Sequence, residues 1–176
     1  NGKIGAIRRV EVGVAGPPKG YDLEPQPIPE GLDWDRWCGP SPKVGYHPTL
    51  CPPGVHGTYP GWRGYREFST GYYADMGAHH FDIVQWALNM DASGPVRIEP
   101  PAGDAERGLV YRYANGVEVA HGGDVDCHFI GADGWIKVSR GSLEASRPEI
   151  VDAPLGAGEW QAPRAESHIA NWVDAI

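Results

Sequence analysis

The sequence predicts an α+β domain: an open, mainly antiparallel β-sheet with helices on one face, joined to a long ordered loop rich in proline and tryptophan. Three observations predict it. Asn115-Gly116 lies between two short alternating runs, the strongest local signal for a β-hairpin, and Gly131-Ala132-Asp133-Gly134 separates a second pair. Tyr72 to Leu88 carries apolar residues at helical spacing. Eleven of the 17 prolines fall between Pro17 and Pro60, which confines the irregular backbone to one segment.

The first element is a strand within Gly2 to Val14. Val10, Val12 and Val14 alternate with Glu11 and Gly13, as in a sheet with one covered face, and Gly16-Pro17-Pro18 ends the run. Residues 17–67 are expected to form the loop. Proline cannot donate to a ladder, yet Trp34, Trp37, Tyr46, Tyr59, Trp62 and Tyr65 supply area to bury, so the loop should pack rather than wander. One helical turn is expected within Leu32 to Trp37. Ser69 or Thr70 can cap the next helix. Its expected core stripe is Met76, His80, Ile83 and Ala87, with Val84 and Leu88 alongside. Asn89 and the stretch Asp91 to Pro95 end it. Strands follow at Val96–Ile98, Leu109–Tyr113, Val117–Ala120, Val125–Ile130 and Trp135–Val138, with an edge strand at Ser142–Ala145. Residues 146–164 read as loop. Glu166 to Ile176 reads as a helix with Ile169, Trp172, Val173 and Ile176 on one stripe. Residues 1–176 form one domain, expected to be truncated at both ends: the chain opens on Asn1 and stops in mid-helix without a C-cap.

The chain is long enough for a real core. With 41 % hydrophobic and 22 % charged residues it has the composition of a soluble globular domain. A net charge of −8 argues against nucleic acid or an anionic membrane surface as partner. No run of apolar residues is long enough for a transmembrane helix. Cys38, Cys51 and Cys127 are too few for a disulfide framework, and without a C-x-x-C they suggest no structural zinc site. Composition does not choose between a cytoplasmic and a periplasmic compartment.

The chemistry concentrates in Asp75-Met76-Gly77-Ala78-His79-His80-Phe81-Asp82. On a helix Asp75, His79 and Asp82 share one face, continued by Trp86. A carboxylate beside an imidazole fixes its tautomer and raises its basicity, as proton transfer requires. A solvated polar patch explains the pattern equally well. The stripe lies roughly 100° round from the expected core stripe, at the edge of the buried face, where a cleft wall would be. His80 points onto the apolar stripe as a core histidine. Asp124, Asp126 and His128 alternate along a strand and fit either a cation site or a solvent-facing surface. Arg63 and Arg66, with the loop aromatics, fit contacts to a sugar-like ligand or a pinned loop. No G-x-G-x-x-G links a strand to a helix, and no G-x-S-x-G occurs, so neither a dinucleotide cradle nor a serine nucleophile is expected.

Asp75-Met-Gly-Ala-His79-His-Phe-Asp82 resembles the D-x-G-x-H-x-x-D helix of the Gfo/Idh/MocA oxidoreductases. Gly31-Leu-Asp-Trp-Asp-Arg-Trp37 with Gly39-Pro40-Ser41-Pro42 is similar to a loop of the family's bacterial, planctomycete- or bacteroidete-type branch. Asn1-Gly-Lys-Ile-Gly-Ala-Ile7, Tyr111-Arg-Tyr-Ala-Asn-Gly-Val117 and Gly131-Ala-Asp-Gly-Trp-Ile136 extend the likeness in order along the chain.

The resemblance implies a C-terminal domain that holds a sugar, cyclitol or related polyol. A Rossmann domain binding NAD or NADP would precede it and is missing here, so the fragment is expected to be inactive alone. It implies that His79 exchanges a proton with the substrate and that Asp75 hydrogen-bonds both the substrate and His79. Asp82, Arg66, Trp62 and His80 are the candidate substrate contacts, and the open sheet face is the expected surface of a homo-oligomer. The family often carries Gly-Gly-Gly just before this helix, where this chain has Ser69-Thr70-Gly71. Two other classes compete. One is a metal-dependent hydrolase or lyase built on Asp75 and His79, or on Asp124, Asp126 and His128. The other is a non-catalytic oligomerisation or ligand-binding module.

Overall fold

A computed structural model of the protein describes residues 2–54, 60–160 and 167–176. Asn1, the loop aromatic Tyr59 and the expected helix start Glu166 lie outside the described residues.

Val10 and Val12 of the alternating run lie in β1 (Ile7–Val12), the central strand of the sheet, and Val14 lies just beyond its end. The others are β2 (Arg97–Glu99), β3 (Val110–Arg112), β4 (Glu118–His121), β5 (Cys127–Gly131), β6 (Trp135–Ser139) and β7 (Ser142–Ala145). Their order is β2-β3-β4-β1-β5-β6-β7. Strand β1 runs parallel to β4, with Val10 beside Val119, and every other neighbouring pair is antiparallel. The sheet is therefore open and mainly antiparallel, with both expected hairpins in place.

One face is apolar because the pleat turns every second side chain the same way. Val10, Val12, Val119, Cys127 and Phe129 are buried there beneath α2 (Gly71–Ala87) and Ile150 of the short helix α3 (Glu149–Asp152). Helix α3 falls within the stretch expected to be loop. Pro148 starts it, and burial of Ile150 supplies the free energy that four residues of local propensity cannot. Burial pushes the Cys127 thiol up to about 12, so this cysteine is packing material and not a nucleophile.

The rotation of α2 departs from expectation. The residues turned to the sheet are Tyr73, Gly77, His80 and Val84, whereas Ile83 and Ala87 are exposed. The buried face is thus shifted toward Phe81. At 3.6 residues per turn, Asp75, His79 and Asp82 then lie nearly opposite the sheet, on the outer crest, and not at the edge of the buried face. Thr70 occupies the N-cap without a side-chain hydrogen bond. Helix α4 (His168–Asp174) forms, but Ile169, Trp172, Val173 and Ile176 are all exposed. No helix among the described residues is long and apolar enough to cross a membrane.

The loop has a core of its own. Trp34 and Cys38 of α1 (Trp34–Cys38) pack with Tyr46, Leu50 and Tyr65. Trp34 stacks on Trp37 with ring centroids 4.5 Å apart, and its indole N–H donates to the Val44 carbonyl at 2.8 Å. The prolines thus interrupt regular structure without preventing burial. Leu50 is 0 % exposed, whereas Leu143 of β7 is 57 % exposed. Leu50→Ala should therefore cost about 2–5 kcal/mol in urea unfolding, and Leu143→Ala less than about 0.5 kcal/mol. Equal effects would mean that the loop core does not contribute to stability.

Candidate functional site

Helix α2 is fixed by the chain that leaves β1. His80 Nδ1 donates to the Gly13 carbonyl at 3.1 Å, and the Tyr73 amide donates to the Gly16 carbonyl at 3.3 Å. Gly71 opens the helix at φ 81°, and a Cβ there would lie 2.5 Å from the Pro18 nitrogen. Only glycine fits that approach. Of the Ser69-Thr70-Gly71 triplet, Gly71 is thus the position where the backbone demands glycine. On the other side, the Cys127 thiol donates to the His80 carbonyl at 3.4 Å.

With the helix so held, His79 and Asp82 point outward and are exposed. The ring of His79 makes no hydrogen bond among the described residues, which leaves both nitrogens open to a ligand. The expected bond between Asp75 and His79 is absent. Asp75 instead pairs with Arg63, Nε to Oδ2 at 3.2 Å, and the Arg63 guanidinium lies 4.4 Å from the Trp62 ring centroid. Arg63 stands on the 3-10 turn Gly61–Gly64, so this pair ties the aromatic loop to the first turns of α2.

The other candidates disperse. Trp62 is half-buried and, with Trp37, Cys38, Ser41 and Phe68, lines a cleft in the loop. Arg66 is exposed; its amide donates to the Lys19 carbonyl, and its guanidinium passes beside Gly20. No hydrogen bond or ion pair joins Arg66 to α2 among the described residues, and Arg63 is the arginine that pairs with the helix. His80 is buried under α2 with a sheet-side anchor. Asp124, Asp126 and His128 do not converge. Asp126 precedes β5 and turns toward α2, whereas His128 Nδ1 lies 3.5 Å from Glu11 on the opposite face of the sheet. Among the described residues no group of three His, Cys, Asp or Glu side chains is placed to hold a metal ion.

A second cleft flanks the crest of α2. It is lined by His79, His80 and Asp82 from the helix, and by Asp126, Ser139 and Arg140 from the sheet end. The sequence brought Asp126 forward only as a strand-face residue, and Ser139 and Arg140 carry no motif. They meet the helix through β5–β6 pairing, in which Cys127 sits opposite Val138.

The family model described as "Oxidoreductase family, C-terminal alpha/beta domain", of the Gfo/Idh/MocA group, matches residues 19–150. The chain belongs to the Gfo/Idh/MocA oxidoreductase family. No curated protein matches it. In this Gfo/Idh/MocA domain the matched span takes in the aromatic loop from Lys19 onward, α2 and strands β2–β7, so the family likeness covers every residue of the crest and both clefts.

Arg63 and Asp75 are 18 % and 37 % exposed at their side chains, which limits the worth of their pair through solvent screening. A double-mutant cycle with Arg63→Ala and Asp75→Ala should give a coupling of about 0.2–1 kcal/mol in thermal or urea unfolding. A coupling well above that would make the pair a stability device and not a means of orienting Asp75.

Proposed function

We propose that this domain is the substrate-binding half of an NAD(P)-dependent oxidoreductase acting on a sugar, cyclitol or related polyol. One observation carries the proposal: His79 stands exposed on the crest of α2, between Asp75 and Asp82, in a domain of an oxidoreductase family. NAD or NADP supplies hydride exchange when bound. The described residues do not fit that group, because α2 follows a 3-10 turn and not a strand with a glycine-rich phosphate loop. The cofactor belongs to a separate domain, and the chain's own share is the proton.

Interconverting an alcohol and a carbonyl requires a group that takes the hydroxyl proton or returns it. The unengaged ring of His79 supplies it. Asp75, held from behind by Arg63, accepts a hydrogen bond from the reacting or the adjacent hydroxyl and keeps the substrate against His79. Asp82, one turn on, reaches a further hydroxyl. The domain alone turns nothing over.

In the protein joined to its cofactor domain, His79→Ala should lower kcat by about 10²–10⁴-fold with KM changed only a few-fold. A near-normal kcat would remove His79 from the mechanism.

The open sheet face is the surface we assign to a second copy. It carries a half-buried ladder in which Arg112 pairs with Glu99 at 2.9 Å and with Glu118, while Arg9 pairs with Glu11 and Glu118. The Arg112 guanidinium holds the Glu99 carboxyl below its usual range. Both signs alternate across the strands, which suits a surface that meets its own copy. Sedimentation should show a dimer or larger assembly that Arg112→Glu dissociates. A monomeric wild-type protein would sink this assignment.

A further inference from the structure

The cleft beside α2 has more hydrogen-bond acceptors than the protein satisfies. His80 is the decisive residue. Its side chain is 6 % exposed, and its Nδ1 faces the Gly13 carbonyl, which can only accept. The proton of the neutral ring is therefore on Nδ1, and Nε2 presents a lone pair. That Nε2 has no hydrogen-bond partner and points at Asp126, whose Oδ2 lies 3.8 Å away. The distance is too long for a direct bond. The Asp126 carboxylate accepts from the Arg140 amide at 3.1 Å, and two carboxylate oxygens have lone pairs to spare. Asp82 adds a third acceptor on the helix side of the same cleft, and His79 stands at its edge.

A buried acceptor without a donor costs free energy comparable to a lost hydrogen bond. Here the mismatch has a direction. An anionic group would meet Asp82 and Asp126 and be repelled. A single hydroxyl has one hydrogen and cannot serve both His80 Nε2 and Asp126. Two adjacent hydroxyls can, one donating to each, while Ser139 Oγ and the Arg140 guanidinium are donors available to their oxygens.

We infer that the cleft between α2 and the β6–β7 end is a subsite for an uncharged vicinal diol, read by Asp126 and His80 and seated next to His79. The inference deepens the proposed function and rests on α2 as the helix that faces substrate. It identifies Asp126 and His80 as the residues that select a non-reacting part of the substrate. Asp126 reaches the cleft from 44 residues beyond Asp82, so no single motif holds both it and His80.

The test uses fragments small enough for the cleft. The 176-residue chain is titrated with cis-1,2-cyclohexanediol, cyclohexanol and 1,2-diaminocyclohexane while the imidazole nitrogens are followed by NMR. The diol should move the His80 Nε2 resonance saturably, and cyclohexanol should bind at least tenfold more weakly. Asp126→Asn keeps an acceptor for the Arg140 amide but offers His80 an N–H. It should weaken the diol about tenfold, the loss expected for a hydrogen bond to a charged group. No saturable shift at His80, equal binding of cyclohexanol, an unchanged affinity in Asp126→Asn, or a preference for the diamine would each overturn the inference. The two proposals fail separately. If the diol binds at His80 but His79→Ala leaves oxidation in the joined protein intact, the subsite stands and the catalytic assignment falls. If His79→Ala abolishes turnover while the diol leaves His80 unmoved, the reverse holds.

Discussion

The site depends on three carbonyls in the few residues that follow β1. Gly13 accepts from His80, Val14 accepts from His121 at 3.0 Å, and Gly16 accepts from the Tyr73 amide. Each of these donors belongs to an element laid over or beside the central strand. A backbone leaving a sheet has polar groups that must find partners once buried. Here the partners are two histidines and the first turn of α2. The bonds fix both the height of the helix over the sheet and its rotation, and rotation decides which residues of the Asp75–Asp82 stretch meet solvent. Were α2 turned so that Ile83 faced the sheet, His80 would lose Gly13 and the crest would swing toward the buried face.

The aromatic loop acts on the same helix from the other end. Gly71 abuts Pro18, and Arg63 reaches Asp75 from a turn whose tryptophan flanks the loop's own cluster. Two separately packed regions therefore converge on the N-terminal half of α2. Its C-terminal half, with His79 and Asp82, is bordered by the end of β6 and by Asp126. A helix held at several points presents its outward side chains with little freedom, which is what proton exchange at a defined atom requires.

Much of this was legible in the sequence, and the failures have physical causes. The hairpins were marked by turn residues whose backbone conformations few others tolerate, and β1 by strict alternation. The helix was marked by its period, but its face was misjudged because periodicity weighs apolar side chains alone. His80 is buried as its place on the expected stripe implies, but Gly77, which has no side chain to register as hydrophobic, is buried beside it while Ile83 is exposed. The absent Asp75–His79 bond has a similar origin. Spacing puts two residues on one face but does not exclude a better partner from elsewhere, and a guanidinium brought in by a loop is a stronger partner for a carboxylate than an imidazole one turn away. Asp126 was visible as a residue type, but its role depends on strand pairing, which no local pattern encodes. Helix α3 was missed because four residues are too few for a period to show.

The strand order has a consequence for how the chain acquires its shape. Strand β1 is made first, yet both of its neighbours, β4 and β5, come more than a hundred residues later. Closing a loop of that length must precede any reward from the central ladder, and chains dominated by such pairings fold slowly. The loop cluster around Trp34, Tyr46 and Leu50 is local and needs no such closure. On a ribosome the aromatic loop can thus collapse early, while the valines of β1 wait uncovered until β4 and β5 emerge. The helix that bears His79 reaches its final orientation only when that late pairing buries its underside.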